Sequence, residues 1–542
     1  MSIGTASGDR LGSDGPGSDG PGSDGTGSSG PGPSGPASSA GLLGGRRPRR
    51  LGRRGTLRPG SARGGGGPPS SAIRPLTLWD QIYLGCQRAD PIRSLDKSTL
   101  LYLAGPAPSA EQWRAHLGAR LATWPALRQR LTPLPGAPAE YGWAVPALAG
   151  DGEDGEDGRG SRFDLDYHAA FWDAPAGLTG AAAARAAVDA LAATRLDLTR
   201  APWRAVLVRE HPARPVRAEG GATPAPAGET GAWIVYRSSH VQQDGIAMHN
   251  ALWMLFGPDR ADSPAGPAGP GGPGGQAGPP PMGRLRPAEQ DRLGARGLAA
   301  EVARTLRNLG GANRLTAWGG PAVGASRHLW VETELPAVRA LARRHGVTVN
   351  DVFLAALAGA IREWSLPDWR DSGRRVLHTI VPVSTRPPEA AHVLSNYSGM
   401  SRVALPCAEP DPAVRLERIA ARTRQIRGGD PGALERAVLR RLKPATIRRI
   451  AASSTRVDAR GGQFPVVASN PRGMPGPLAV AGIPITRLVH LPARIDGVQP
   501  LCVVFSGLDE QVGVGFTVSS SLPGGDRLPG LWLAELRRLH AL

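Results

Sequence analysis

Two low-complexity stretches divide this chain of 542 residues and limit where it can fold. Residues 1–70 open with the repeat GSDGPGSDGPGSDG and continue into an arginine cluster at 46–58, and residues 257–284 include PAGPAGPGGPGGQAGPPP. Such segments have little apolar surface to bury, so they do not offset the conformational entropy lost on ordering. We therefore expect two folded stretches, 71–256 and 285–542, with 1–70 as a disordered tail and 257–284 as a linker.

Helical and strand spacings alternate along both stretches. In the first stretch we predict strands at Asp96–Leu103, Trp203–Val208 and Ala232–Ser239, and helices at Glu111–Thr123 and Ala181–Thr194. In the second we predict helices at Glu289–Asn308, Leu335–His345, Val352–Trp364 and Leu531–Leu542, and strands at His328–Thr333, Val376–Val383, Leu501–Phe505 and Gln511–Val518. This alternation predicts two α/β lobes of similar size.

The formal net charge of +18 favours anionic partners such as nucleic acid, acidic lipid or phosphorylated small molecules. The same surplus of arginine is also expected of a GC-rich genome without any functional meaning. Nucleic acid or anionic lipid could bind the arginine cluster at 46–58, but we favour its interpretation as a solvated basic linker, and no nucleic-acid-binding module accompanies it. We therefore do not expect a nucleic-acid partner.

The cysteines and the apolar runs limit the cellular compartments in which we expect this protein. Cys86, Cys407 and Cys502 are far apart and form no C-x-x-C pair, which argues against a zinc site or a disulfide framework and suits a reducing compartment. No apolar run reaches the roughly 18 residues of a membrane span, and the N-terminus has no apolar signal region. We expect a cytoplasmic protein, or one that is peripheral at a membrane.

The segment Trp233–Asn250 indicates a catalytic site. A predicted strand ends next to His240, a short turn holds Asp244 and Gly245, and a helix follows. This layout suits a general base, because a rigid strand can aim the imidazole while the aspartate braces the turn. With 11 His and 74 Gly in the chain, chance gives about 0.08 copies of H-x-x-x-D-G, so the motif is informative but not decisive.

Several segments, taken in order, resemble the bacterial wax ester synthase/acyl-CoA:diacylglycerol acyltransferase family. That family belongs with chloramphenicol acetyltransferase and the condensation domains of peptide synthetases. Ser239–Gly245 resembles its His-His-x-x-x-Asp-Gly signature, with Ser239 in place of the first histidine. The other matching segments are Pro75–Asp80, Phe163–His168, Leu196–Trp203, Thr348–Ala360, Pro382–Arg386, Leu394–Asn396 and Ser469–Pro477.

The resemblance implies two chloramphenicol-acetyltransferase-like lobes with a central tunnel, and no metal or permanently bound cofactor. Acyl-CoA would be the co-substrate, and an alcohol such as diacylglycerol or a fatty alcohol the acceptor, giving triacylglycerol or wax ester. His240 would be the general base, with Asp244 and Gly245 holding the turn and Arg386 a candidate partner of Asp244. Ser239 would point to the opposite face of its strand. The remaining candidates for the tunnel or the oxyanion are Gln242, Gln243, Asn350 and Asp351.

Three alternatives remain open on the sequence. The chain could be a natural-product acyltransferase or condensation-type enzyme that uses a carrier-bound thioester. It could be a degenerate homologue that only binds lipid or a partner, although the presence of both His240 and Asp244 argues against this. Asn350 and Asp351 could simply begin a helix, because both residue types favour N-terminal capping positions.

Overall fold

Two mixed α/β lobes, each built on a six-stranded sheet, form the part of the chain that the computed structural model describes. The described residues are 73–89, 94–146, 163–210, 231–258, 318, 322–370, 377–427, 441–461 and 466–542. The strands are β1 (Arg74–Pro75), β2 (Asp96–Leu103), β3 (Arg130–Leu134), β4 (Ala137–Ala144), β5 (Ala169–Asp173), β6 (Trp203–Arg209), β7 (Ala232–Ser239), β8 (Ser326–Glu334), β9 (Leu377–Ser384), β10 (Ser398–Leu405), β11 (Val466–Ser469), β12 (Leu478–Val480), β13 (Ile483–Leu491), β14 (Leu501–Leu508) and β15 (Gln511–Ser519).

The α-helices begin and end mostly where polar caps and glycines allow. They are α1 (Leu78–Arg88), α2 (Ala110–Thr123), α3 (Leu165–His168), α4 (Gly180–Ala192), α5 (Gly245–Phe256), α6 (Leu335–Arg344), α7 (Val349–Trp364), α8 (Pro367–Arg370), α9 (Pro412–Arg427), α10 (Pro444–Gly461) and α11 (Leu528–His540). A capping box opens α1, in which Thr77 and Asp80 exchange side-chain-to-backbone hydrogen bonds. After α6, Gly346 has a φ of +61°, as predicted for a glycine that ends a helix.

Two helices are apolar on nearly all sides, and the fold buries both. In α5 every residue from Ile246 to Phe256 is buried, and in α7 every residue from Asp351 to Ile361 is buried. A helix of this kind is stable only when neighbours cover its whole circumference. Helix α5 packs with α2 on the first sheet, and α7 packs with α9 and α11 in the core of the second lobe.

The strand order of the first sheet is β12-β13-β2-β7-β6-β5, and that of the second is β10-β9-β11-β14-β15-β8. Side chains on one face of the first sheet contact α2 and α5, while α4 covers the opposite face. A small sheet of order β1-β4-β3 adds to the first lobe. The C-terminal end of β7, where His240 follows, therefore meets the N-terminus of α5 in the first lobe.

Strands from the second half of the chain complete the first sheet. β13 pairs antiparallel with β2 and also lies against β14 and β15 of the second sheet. Two glycines of β15 make this approach possible: a Cβ on Gly513 would lie 2.8 Å from the Leu488 carbonyl oxygen, and one on Gly515 would overlap the His490 carbonyl. Glycine within a strand commonly marks such a close backbone approach. The first lobe is thus not confined to residues 71–256.

The described residues agree with most of the predicted elements, and Asp96–Leu103 and Ala232–Ser239 have the predicted bounds. The sequence patterns missed the β3–β4 hairpin, β5, β10 to β13, α9 and α10. The predicted helix Glu289–Asn308, the tail 1–70 and the linker 257–284, apart from Gly257 and Pro258, lie outside the described residues.

Candidate active site

His240 lies directly after β7, at the point where the first sheet meets the loop that precedes β10. Its N–H donates to the carbonyl of Leu95 at 2.9 Å, which extends the β2–β7 ladder by one step and fixes the backbone beneath the ring. The side chain is half-buried, and the Tyr83 ring of α1 lies 4.1 Å from the imidazole, centroid to centroid. The ring is therefore held on a rigid element and is not fully enclosed.

Asn396 fixes the tautomer of this imidazole. Its side-chain nitrogen donates to the Asp80 carboxylate at 2.8 Å and to the carbonyls of His240 and Val241 at 2.9 and 3.0 Å. The amide oxygen must then face the ring, where it lies 3.3 Å from Nδ1 of His240. An amide oxygen only accepts, so Nδ1 carries the proton and Nε2 has a free lone pair.

Asp80 anchors Asn396 from the other side of the loop. Its buried carboxylate accepts hydrogen bonds from the Asn396 backbone N–H at 3.0 Å, the Ser395 hydroxyl at 2.8 Å and the Trp143 indole at 3.0 Å. Burial raises the pKa of Asp80, although these donors and Arg74 oppose the rise. The opening segment Pro75–Asp80 thus holds in place the residue that orients His240.

Electrostatics keep His240 neutral. Burial, reinforced by the nearby Lys97 ammonium, lowers the pKa of His240 to about 3, against the opposing effects of Asp244 and Asn396. Near neutral pH the ring is thus unprotonated and can accept a proton through Nε2. This is the state that a general base requires before reaction.

Asp244 braces the turn after His240 and does not contact the imidazole within the described part of the chain. Its Oδ1 accepts from the Ala247 N–H at 2.7 Å and caps α5, and its Oδ2 accepts from the Tyr397 N–H at 2.8 Å. Burial alone would raise the pKa of Asp244, but the Arg386 guanidinium and these two N–H donors outweigh it and hold the pKa below its ordinary value. Asp244 therefore stays ionised and acts on the geometry of the turn.

Arg386 connects this turn to the loop that carries Asn396. Its Nη2 lies 3.0 and 3.1 Å from the two Asp244 oxygens and also donates to the Ser395 carbonyl at 2.6 Å. Its Nη1 donates to the carbonyls of Ala390 and Val393. The ion pair that the sequence analysis proposed for Arg386 is thus present, and it is fully buried.

Comparisons with known proteins are consistent with this geometry, although no family model matches the chain. A curated protein named probable diacylglycerol O-acyltransferase tgs1, from Mycobacterium tuberculosis, is 27% identical over 365 residues, covering 65% of this chain and 71% of its own. The solved wax ester synthase/diacylglycerol acyltransferase of Marinobacter aquaeolei VT8 covers 87% of this chain and 100% of its own at 20% identity, with a TM-score of 0.52.

The chain is thus similar to a protein named as a diacylglycerol O-acyltransferase and shares the fold of a wax ester synthase/diacylglycerol acyltransferase. A second solved structure extends the likeness to condensation domains. It is the starter condensation domain of rhizomide synthetase, an alanine mutant in complex with C8-CoA, 14% identical, covering 87% of this chain and 94% of its own, with a TM-score of 0.50. These likenesses confirm the predicted fold of two chloramphenicol-acetyltransferase-like lobes.

Ser239 takes the place of the first histidine in the wax ester synthase signature, and it lies away from His240. The residue is fully buried, and its hydroxyl hydrogen-bonds the carboxyl of Asp96, which also pairs with Arg237 at 3.2 Å. His240 contacts a different set of side chains, those of Tyr83 and Asn396. The two positions thus serve opposite faces of β7, which is the arrangement expected of neighbours at the end of a strand.

The glutamines of the signature turn point into the protein. Gln243 is fully buried, its side-chain oxygen accepts from the Tyr236 hydroxyl at 3.0 Å, and its nitrogen donates to Gln242 at 3.4 Å. Gln242 is 1% exposed. The Gln242 side-chain nitrogen is buried and has no hydrogen-bond partner among the described residues, and an oxyanion role for either glutamine stays a prediction.

Asn350 and Asp351 differ in their surroundings. Asp351 closes a capping box with Thr348 and accepts a 2.5 Å hydrogen bond from the Thr423 hydroxyl, so its carboxylate serves the helix N-terminus. Asn350 is half-buried, and its side-chain oxygen accepts from Asn470 at 3.4 Å. Asn470 precedes Pro471, whose Cβ would lie 3.1 Å from a Cβ placed on Gly245. Asn350 therefore lies near the signature turn, and Asp351 has a structural role.

Gly245 is glycine because of its neighbour. Its φ is not positive, so the tight turn that the sequence analysis expected is not the reason. The reason is the close approach of Pro471, because a side chain at Gly245 would press on the Pro471 ring. The loop after β11 can thereby cover the start of α5.

Within the described residues, no group of three or more histidine, cysteine, aspartate or glutamate side chains is arranged to hold a metal ion. No helix in the same part of the chain is long and apolar enough to cross a membrane.

A cavity of about 440 Å³ lies between Phe163–His168 and Asp197–Ala201, and His240 does not line it. The tunnel that reaches His240 stays a prediction.

Proposed function

We propose that this protein is an O-acyltransferase that moves an acyl group from acyl-CoA to an alcohol, with His240 as the general base. The observation that carries the proposal is the orientation of the imidazole: the Asn396 amide oxygen, 3.3 Å from Nδ1, leaves the Nε2 lone pair free. The depressed pKa of about 3 keeps that lone pair available at neutral pH. The similarity to a protein named as a diacylglycerol O-acyltransferase supports the reaction class.

The proposed reaction steps follow from the orientation and protonation state of the His240 imidazole. Nε2 of His240 takes the proton of the acceptor hydroxyl as the hydroxyl oxygen attacks the thioester carbonyl carbon. The tetrahedral intermediate then collapses, the C–S bond breaks, and the imidazolium returns the proton to the departing thiolate, which leaves as free CoA thiol. General base catalysis of this kind contributes about 10²–10⁴-fold to the rate.

The proposed donor is long-chain acyl-CoA, and the proposed acceptor is diacylglycerol or a fatty alcohol, giving triacylglycerol or wax ester. The printed names of tgs1 and of the Marinobacter structure support this choice. The complex of the condensation domain with C8-CoA supports an acyl-CoA donor in this fold. Acyl-CoA is a co-substrate in this scheme, and no resident cofactor takes part.

The proposed place of work is the cytoplasmic surface of a membrane or a lipid droplet. A net charge of +18 would attract anionic headgroups, and both proposed acceptors partition into lipid. Nucleic acid has no part in this proposal. The charge would act on encounter with the surface, while the site itself would select the acceptor.

The proposal is tested with the full chain, palmitoyl-CoA and two acceptors, dipalmitoylglycerol and hexadecanol, each presented in vesicles. Free thiol release and the lipid product are followed together, and a parallel reaction replaces palmitoyl-CoA with the same acyl group on a carrier protein. We expect ester product and stoichiometric thiol from acyl-CoA only when an alcohol is present. Product from the carrier-bound donor alone would support the condensation-type alternative and contradict the proposal.

A further inference from the structure

Lysine is almost absent from this chain, and one of its two lysines lies beside the candidate base. Of 64 basic residues, only Lys97 and Lys443 are lysines, and the rest are arginines. Lys443 is exposed on the surface, whereas Lys97 is 7% exposed in β2. In a sequence so biased toward arginine, a buried lysine beside the candidate base is unusual. Its ammonium is a compact point charge on a flexible stem, which can place a cation close to a main-chain carbonyl.

The position of Lys97 in the sheet aims it at His240. Ser238 lies opposite Lys97 in the β2–β7 ladder, and His240 follows two residues later on the same face. The Lys97 ammonium donates to the main-chain carbonyl of Gln243, in the turn between His240 and Asp244. The side chain therefore supports the turn that carries the base.

No carboxylate pairs directly with Lys97. Within the described residues no acidic oxygen lies in ion-pair range of Nζ, and the carboxylate that acts on it most, Asp244, is already engaged by Arg386. Burying an ammonium with one carbonyl partner costs free energy, which a purely structural residue would avoid by being apolar. Burial lowers the pKa of Lys97 to about 7, with Asp244 opposing the shift.

The positive charge acts on three imidazoles, the half-buried ring of His240 and the buried rings of His249 and His490. It lowers the pKa of His240, and also those of His249 and His490, whose Nε2 atoms lie 2.7 Å apart. The other titratable or charged groups around this region are Tyr83 and Asp80 from α1, Asp244 at the start of α5, and Arg386 and Tyr397 from the second lobe. Arg74 also lies near Asp80. Lys97 thus differs from Arg386, which is paired with Asp244, in having no carboxylate in ion-pair range among the described residues.

We propose that Lys97 is a positioning residue for His240, which fixes the turn behind the imidazole through the Gln243 carbonyl and presents a positive charge to the ring. The charge disfavours the imidazolium, so His240 holds the acceptor's proton only briefly and passes it to the departing thiolate. The catalytic consequence rests on the proposed function. The effect on the ring does not, because it is a property of the resting protein.

Histidine labelled at carbon-13 tests the effect on the ring directly. The His240 resonance is assigned by its absence in His240→Gln and titrated in the full chain from about pH 7 down to about pH 2, which spans the wild-type pKa of about 3. Three variants separate charge from hydrogen bond: Lys97→Met removes both, Lys97→Gln keeps a donor for the Gln243 carbonyl, and Lys97→Arg keeps the charge. Lys443→Met is the matched control, since it removes the exposed lysine.

We expect the His240 midpoint to rise by on the order of one pH unit in Lys97→Met and Lys97→Gln, and to stay at its wild-type value in Lys97→Arg and Lys443→Met. An active enzyme should show the same shift in the acid limb of kcat/KM. Equal midpoints in wild type, Lys97→Met and Lys97→Gln would overturn the proposal. An inactive wild type with shifted midpoints would instead contradict the proposed function alone.

Labelled lysine gives a second, independent check. The chain yields only two lysine resonances, and Lys443→Arg assigns them. We expect the Lys97 resonance to titrate near pH 7, where burial places it. Titration of that resonance at the ordinary lysine pKa of about 10.4 would place the ammonium in water and overturn the proposal.

Discussion

The side-chain oxygen of Asn396 lies 3.3 Å from Nδ1 of His240, across 156 residues of sequence. The contact joins the loop before β10 to the end of β7, so the orientation of the ring depends on how the two lobes meet. Asp80 holds the Asn396 amide from behind at 2.8 Å. The tautomer of the proposed base is therefore selected by a chain of hydrogen bonds that neither lobe contains alone.

Replacing Asn396 should impair catalysis more than folding. In Asn396→Ala the ring loses the acceptor that selects its tautomer, and we expect kcat to fall about 10- to 100-fold with little change in KM. The buried carbonyls that lose a donor should lower the free energy of unfolding by about 1–3 kcal/mol. Steady-state kinetics and denaturant unfolding measure the two effects.

Thr77→Val is the control for that loss of stability. It removes the 2.9 Å hydrogen bond to the Asn396 carbonyl and the cap of α1 but leaves the Asn396 side chain in place. We expect a loss of about 1–2 kcal/mol and a kcat within about threefold of wild type. An equal loss of kcat in both variants would refute the role assigned to the Asn396 amide.

The Asp244–Arg386 pair should behave as one unit in a double-mutant cycle. Asp244→Asn and Arg386→Met each leave a buried partner uncompensated, so each should lower the free energy of unfolding by about 3–5 kcal/mol. The double variant should lose clearly less stability than the sum of the two single losses, because the second substitution removes the unpaired charge that the first one leaves buried. Additive losses, measured by urea unfolding, would show that the pair is not coupled.

The local part of the site could be predicted from the sequence, because it lies within one strand, one turn and one helix. The alternating apolar residues of Ala232–Ser239 gave the strand its bounds, and the spacing of His240, Asp244 and Gly245 marked the turn. Gln243 was a reasonable oxyanion candidate on spacing alone. Its hydrogen bond with Tyr236 is a tertiary contact that spacing does not encode.

Contacts between distant segments could not be predicted in the same way. Asn396 and Asp80 are separated by 316 residues, and no local pattern links them. The placement of β13 in the first sheet was also missed. Gly513 and Gly515 within an apolar strand were a signal of it, because they indicate a close backbone approach. The rarity of lysine was visible too, and it would have singled out Lys97.

Acid should destabilise the fold through buried histidines. Burial holds the pKa of His249 at about 3 and that of His490 well below its ordinary value, while both titrate near 6.5 in the unfolded chain. Below about pH 6.5 the unfolded state therefore binds protons that the folded state does not, and stability falls, by about 2 kcal/mol at pH 5 from His249 and further from His490. Unfolding titrations at three pH values measure this slope.

The double variant His249→Gln/His490→Gln identifies the source of the slope. It removes both imidazoles, so the free energy of unfolding should depend less steeply on pH between about 6.5 and 5 than in wild type. Asp244 acts in a lower window, since its depressed pKa stabilises the fold above the unfolded value and this is lost as pH falls through the folded one. An unchanged slope in the double variant would exclude the histidine pair as its cause.

The close packing of β13 against β15 should tolerate no side chain at Gly515. In Gly515→Ala the new Cβ would overlap the His490 carbonyl, so β13 and β15 must move apart, at a cost of about 2–4 kcal/mol. Gly530→Ala is the matched control, because nothing lies within 4 Å of a Cβ there and the residue is in α11. The control should be unchanged or about 0.5–1 kcal/mol more stable. Similar Tm values for both variants would disprove the close approach.

A substitution at Ser239, on the face of β7 away from His240, should change kcat little. Ser239→Ala removes a hydroxyl that faces Asp96, and we expect kcat within about threefold of wild type, with a loss of stability of about 1 kcal/mol. A drop in kcat of tenfold or more, in a folded variant measured at the same acceptor concentration, would mean that Ser239 reaches the acceptor.

The most direct test compares kcat for thiol release from palmitoyl-CoA in wild type, His240→Ala and the control His540→Gln, which alters a half-buried histidine at the end of α11. Removal of the base should lower kcat by about 10²–10⁴-fold while the protein stays folded, and the control should retain wild-type turnover. A folded His240→Ala protein that releases thiol at the wild-type rate in the presence of the acceptor would contradict the account.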